Sequence, residues 1–184
     1  MVRKHRATRG KFRTVSTLAT TFALFVLFGP ALAAGSPGRS ELHAAYAGHS
    51  IALAEVANHH CHDAMYPLIE CFDLAIDRDL DLASQAASNA LNGAPAALTT
   101  SYVTWYETIS YGGSSFTAST SYSDLSTIGW DNRISSFKSL SGGRPKWWQN
   151  TGFTGTSWRW LAGAQVPDVG AVANDQFSSV ANVP

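Results

Sequence analysis

Two short stretches of this 184-residue chain carry oxygen at every polar position but one. They are Asp131-Asn132-Arg133-Ile134-Ser135-Ser136 and Asn174-Asp175-Gln176-Phe177-Ser178-Ser179. Each sets out two carboxylate or amide side chains, then two free positions, then two hydroxyls. Oxygen donors without histidine or cysteine select a hard cation, calcium before magnesium. A single copy would read first as a turn, because Asp, Asn and Ser also close turns through their own side chains. The second copy, roughly 40 residues on and behind the same preceding pattern, shifts the balance towards a metal site.

That preceding pattern is aromatic and glycine-bearing. WYETISYGGSSF at 105–116 is echoed by WWQNTGFTGTSW at 147–158. Tyr106, Tyr111 and Gly113 in the first copy correspond to Trp148, Phe153 and Gly155 in the second. Two aromatics at this spacing can cover the interior of a folded hairpin. A glycine just beyond the second suits a backbone with positive φ, where a side chain is strained. These six residues are therefore expected to form the fold, and the oxygen-bearing stretches to bind.

Taken together, residues 101–184 resemble a βγ-crystallin domain of the microbial, calcium-binding kind. The aromatic-x4-aromatic-x-Gly signature and the N/D-N/D-x-x-S/T-S signature each occur twice, in the right order. The resemblance implies two four-stranded Greek-key motifs packed as a β-sandwich, with two Ca²⁺ sites built from both motifs. By that pattern Asn132 shares an ion with Ser178, and Asp175 shares one with Ser135. Backbone carbonyls come from Arg133 and Gln176, and from Glu107 and Gln149 after the first hairpin aromatics. Ser136 and Ser179 instead bond the folded hairpins. The copies are unequal. Asn132 gives its site one formal negative ligand fewer than Asp175 gives the other, and Arg133 adds a positive charge beside it, so two sites of different strength are implied.

Other candidate chemistry is weaker. Asp77-x-Asp79-x-Asp81 resembles the opening of an EF-hand loop, but Leu82 stands where that loop needs glycine and Ser88 where it needs glutamate. An acidic helix start is the better reading. His59, His60, Cys61 and His62 cluster beside Asp63, and His59 and His62 could share a metal if helical, yet no second half of a finger-type spacing follows. RPKWW at 144–148 could stack on sugars or meet a partner, but Trp148 is already needed by the hairpin. Residues 101–184 contain no His and no Cys, so a serine triad, a thiol nucleophile or a zinc hydrolase centre cannot be assembled there, and catalysis is not expected.

These residues need elements to position them, and the composition divides the chain. Residues 1–13 hold Arg3, Lys4, Arg6, Arg9, Lys11 and Arg13 without an acid, and an apolar run and Ala31-Leu32-Ala33 follow. This is the pattern of a secretory signal peptide spanning 1–33, and implies a secreted, extracellular protein of bacterial type with no membrane association after cleavage. Beyond it remain seven basic and thirteen acidic residues, a balance poorly suited to nucleic acid and well suited to cations. Cys61 and Cys71 in an oxidising compartment are expected to pair. Residues 34–100 read as a helical N-terminal extension: a flexible start at 34–40, an alanine-rich helix over 41–57, and a second helix over 77–91 stopped by Asn92-Gly93 and Pro95, with the cysteines stapling the pair. From 101 on, all six tryptophans appear and Ser, Thr and Gly turns separate short runs of β-formers, so the domain boundary falls near 96–101. Calcium would stiffen the sandwich. Two competing roles of the same fold are an extracellular metalloproteinase inhibitor, whose partner is a protease, and a toxin-like or cell-wall-binding protein, whose partner is a glycan.

Overall fold

The computed structural model describes residues 41–91, 101–140 and 142–183. The proposed signal peptide, the 34–40 start, the Asn92-Gly93 stop and the 96–100 part of the boundary lie outside the described residues.

Residues 101–183 fold as the repeat requires. The first copy supplies β5 (Val103–Thr108), β6 (Gly112–Ala118) and β7 (Ser136–Ser139); the second supplies β8 (Pro145–Asn150), β9 (Thr154–Arg159), β10 (Gln165–Val166) and β11 (Ser179–Asn182). The hairpin β5–β6 matches the hairpin β8–β9, and each has a ladder irregularity at its tip, between Tyr106 and Thr108 and between Trp148 and Asn150. The two copies exchange edges. β10 of the second copy pairs with β7 of the first, and Tyr122 of the first pairs with Val180 in β11 of the second. This crossed pairing makes two sheets facing each other, the expected Greek-key sandwich.

Between the sheets sits an aromatic core. Trp105, Trp130, Trp147, Phe116, Phe137 and Phe177 are all fully buried. Trp105 stacks on Phe116 at 4.9 Å between centroids and meets Trp130 and Trp147 edge-on at 6.1 and 5.6 Å. Large rings at offset or edge geometry fill a sandwich core efficiently, which is why this sequence places its tryptophans here.

The expected helix over 41–57 is not found. In its place are β1 (His43–Tyr46) and β2 (His49–Ile51), joined by a tight turn at Ala47-Gly48 with φ of 48° and 77°, followed by a short 3-10 helix over Leu53–Asn58. β3 (His60–Met65) and β4 (Leu68–Phe72) come next. Alanine's helix preference is worth only a few tenths of a kcal/mol per residue, and pairing with an existing sheet overrides it. Here β1 runs parallel to β4, and β3 runs parallel to β6, so the extension prolongs the first sheet to eight strands in the order β10-β7-β5-β6-β3-β4-β1-β2. Residues 41–72 are therefore a β extension, not a helical one, and they share the core of 101–183 through Val56, Ala57, Cys61 and Ile69.

The second helix is found, as α1 (Ala75–Leu91). The cysteines pair, with Cys61 opposite Cys71 on neighbouring strands, so the staple joins β3 to β4 and not two helices. α1 docks through polar groups. Arg78, 3 % exposed, donates to the Ser115 hydroxyl on β6 and to Asp79, while Leu74, Ile76 and Leu80 stay exposed. A second polar tie holds the extension to the domain. The buried Asp63 carboxylate accepts from the Tyr122 hydroxyl at 2.7 Å and from the Ser119 amide at 2.5 Å. Burial pushes its pKa up, and these hydrogen bonds oppose the rise.

Candidate metal centre

Each hairpin folds over on its two aromatics. Tyr106 and Tyr111 meet at 5.5 Å, and Trp148 and Phe153 at 5.2 Å, both with planes inclined by 61°. Gly113 and Gly155 have φ of 72° and 80°, and a Cβ on either would press against Glu107 or Asn150 at 3.0 and 2.7 Å. The glycines are thus demanded both by backbone conformation and by space.

The paired serines differ in their bonding, and Ser136 and Ser179 tie down the folded hairpins. The Ser136 hydroxyl donates to the Thr108 carbonyl at 2.6 Å and accepts from the Tyr111 amide at 3.1 Å. The Ser179 hydroxyl does the same with the Asn150 carbonyl and the Phe153 amide, at 2.7 and 3.1 Å. Ser135 and Ser178 are each only 7 % exposed, yet their hydroxyls have no hydrogen-bond partner among the described residues. Their backbone amides are anchored to the opposite strand, on the Tyr106 and Trp148 carbonyls.

The two polar stretches interlock. The Asn132 amide donates to the Phe177 carbonyl at 3.0 Å, and the Asp175 amide donates to the Ile134 carbonyl at 3.3 Å. Each leading pair is also closed internally. Asn132 Nδ2 donates to Asp131 at 3.1 Å, and Asn174 Nδ2 donates to Asp175 Oδ2 at 2.8 Å. Asn132 and Asp175 both hold positive φ, 53° and 54°. The outer oxygens, Asn132 Oδ1 and Asp175 Oδ1, are left without a partner among the described residues. So is the buried Asp131 Oδ1.

An open depression of about 710 Å³ collects Glu107, Ser135 and Asp175, with Asp168 and Asn174 at its wall. It unites the hairpin of the first copy with the polar stretch of the second. The complementary place brings Asn132 to the Phe177-Ser178 segment and Gln149 to Gln176, whose side chains meet at 3.4 Å. Glu107 and Gln149 each fall at a ladder irregularity, outside the paired registers. The arrangement is two oxygen-lined positions, each completed by the other copy, of a kind able to hold a hard divalent cation.

A βγ-crystallin domain from Clostridium beijerinckii is 35 % identical over 44 % of this chain and 94 % of its own, with a TM-score of 0.39. The identity over nearly all of that domain carries the assignment. The chain belongs to the βγ-crystallin family. A βγ-crystallin from Ciona intestinalis is 29 % identical over 44 % of this chain and 98 % of its own, with a TM-score of 0.41, and one from an archaeon is 24 % identical over 45 % and 98 %, also at 0.41. No family model and no curated protein matches the chain.

Within this βγ-crystallin, Arg133 departs from a simple bystander beside the site. Its guanidinium pairs with Glu107 at 2.7 Å, donates to the Ala57 carbonyl at 3.2 Å and lies over Trp130 at 5.8 Å. The Arg133 bond holds the Glu107 carboxyl below its usual range, against a smaller opposing effect of burial. Sequence reasoning missed Asp168, which follows no repeat signature and reaches the depression only because the Pro167–Gly170 loop folds back, with Pro167 accepting from the Ser110 amide at 2.7 Å. The helical spacing that would let His59 and His62 share a metal is not realised. His62 lies on β3, and His59 stacks on Tyr46 at 4.5 Å. In RPKWW, Trp147 is fully buried and Lys146 covers Trp148 at 4.8 Å, so the patch is part of the fold. No helix among the described residues is long and apolar enough to cross a membrane.

Proposed function

We propose that this βγ-crystallin domain binds two calcium ions and is stabilised by them, as part of a secreted protein. The reading rests on one observation above the rest: Ser135 and Ser178, nearly buried, keep free hydroxyls beside Asp175 and Asn132, while their neighbours Ser136 and Ser179 are fully bonded. Hydroxyls left uncommitted by the fold beside a carboxylate and an amide are available as oxygen ligands, and a hard cation would use them. Asp175, Ser135 and the Glu107 carbonyl would hold one ion; Asn132, Ser178 and the Gln149 carbonyl would hold the other, with the Gln176 and Arg133 carbonyls contributing. Calcium would neutralise Asp175 and tie the two copies together across the sandwich.

Extracellular calcium modules commonly bind with a dissociation constant on the order of 10⁻⁴–10⁻³ M. Binding only to the folded state adds about 2.7 kcal/mol of stability when calcium is at 100 times that constant. Thermal melting with and without millimolar calcium tests the proposal: a rise in melting temperature supports it, and an unchanged melt rejects it. The tryptophan patch at 144–148 that could meet a glycan is built into the fold, and the interlocked oxygen-bearing stretches favour the calcium module.

A further inference from the structure

A second cluster of metal-binding side chains lies in the N-terminal extension, outside both oxygen-rich sites. His62 on β3, Glu70 on β4 and Asp81 on α1 offer ligand atoms that all lie within 4.8 Å of one another. His62 and Glu70 are direct cross-strand partners, so the strand register itself sets them side by side. His62 is fully buried and its Nε2 meets Asp81 Oδ2 at 2.9 Å. Gln85, one helical turn beyond Asp81, reaches Glu70 Oε2 at 3.1 Å and Asp81 Oδ2 at 2.5 Å.

Three features of this cluster are unusual for plain structural polarity. Two carboxylates face each other without a lysine or arginine partner among the described residues, since Arg78 is committed to Asp79 and Ser115. The other amide atom of Gln85, Oε1, is buried and has no partner. The Asp81 side chain is one-third exposed, which leaves a way in from solvent.

We infer that His62, Glu70 and Asp81 form a binding site for a first-row divalent cation of the zinc class. One imidazole and two carboxylates match a three-ligand zinc set with an open fourth position, whereas calcium prefers oxygen alone. Turning the Gln85 amide over exchanges its O and N and presents Oε1 to the cation, with Nε2 taking the other position; the two orientations occupy the same space. Small rotamer changes of Asp81 and Glu70 bring their oxygens to zinc–oxygen distances of about 2.0–2.2 Å. Loading moves the imidazole proton from Nε2 to Nδ1 and gives up the bond from the Ala64 amide, which at 3.4 Å is the longer of the two the ring makes. The bound ion would clamp α1 to β3 and β4 beside the disulfide.

The test is zinc titration of the full chain by calorimetry, with calcium present in excess, paired with cobalt substitution read by visible absorption. One zinc equivalent is expected. Glu70→Gln and Asp81→Asn keep the shape and an acceptor for the neighbouring donors, and each should weaken zinc binding by about tenfold or more while leaving the melting temperature in chelator unchanged. The cobalt ligand-field bands should fade in the same two variants. Asp175→Ala should leave zinc binding untouched, which separates this site from the calcium sites. Absence of binding at micromolar zinc overturns the inference. So does native affinity retained in both variants, which would assign the metal to surface histidines such as His43 and His49.

Discussion

Replacing Ser136 by alanine removes a hydroxyl that both donates and accepts within the first hairpin. Loss of a bonded, buried hydroxyl costs about 1–3 kcal/mol, and chemical denaturation in the presence of chelator should show it. Ser135→Ala, one position earlier, should leave that stability unchanged and weaken calcium binding at the Asp175 site. The two variants therefore distinguish scaffold from ligand within a single dipeptide. Glu107 gives a further residue-scale test. Its carboxyl is depressed by the Arg133 hydrogen bond, so the ion pair's stabilisation is present above the ordinary carboxylate range and is lost as pH falls through the lowered value. An Arg133→Gln variant should melt with a shallower dependence on pH across the acid range than the native chain. At this scale the scaffold half of the repeat was legible: Tyr106, Tyr111, Trp148 and Phe153 fold the hairpins, Gly113 and Gly155 take positive φ, and Ser136 and Ser179 bond the hairpin tips. Asp168 was not, because its place depends on a loop folding back and not on spacing.

β3 and β4 owe their alignment to the Cys61–Cys71 bridge as well as to the ladder. The bridge closes a short loop, and replacing both cysteines by serine should cost about 2–3 kcal/mol, read as a lower denaturation midpoint. Sequence reasoning saw the bridge but put it between helices. The reason is physical. Ala44, Ala45, Ala52, Ala54 and Ala57 are small residues with high helix propensity, but propensity is a local preference and the decisive partner of β1 is β4, more than twenty residues away. Nothing in local spacing announces a strand whose neighbour is reached only after folding. The α1 segment had no such competing partner, and its acidic start and length made it visible.

The molecule as a whole is an asymmetric version of a symmetric domain. The outer edge of β6 is covered by β3, whereas its counterpart β9 carries no neighbour beyond β8 among the described residues. An uncovered strand offers backbone groups to other chains, and the extension covers the long β6 and leaves the three-residue β2 as that end of the sheet. A chain truncated to begin at residue 101 should be less stable and more prone to self-association than the full chain, seen by thermal melting and by light scattering. It also loses the Ala57 carbonyl that fixes Arg133, and with it part of the support for Glu107. Calcium calorimetry on the native chain and on Asp175→Ala tests the swapped pair of oxygen sites. Two ions per native chain, unequal in affinity, and one ion in a variant that remains folded are expected. No binding to the native chain, or two ions still bound by Asp175→Ala, would contradict that pairing.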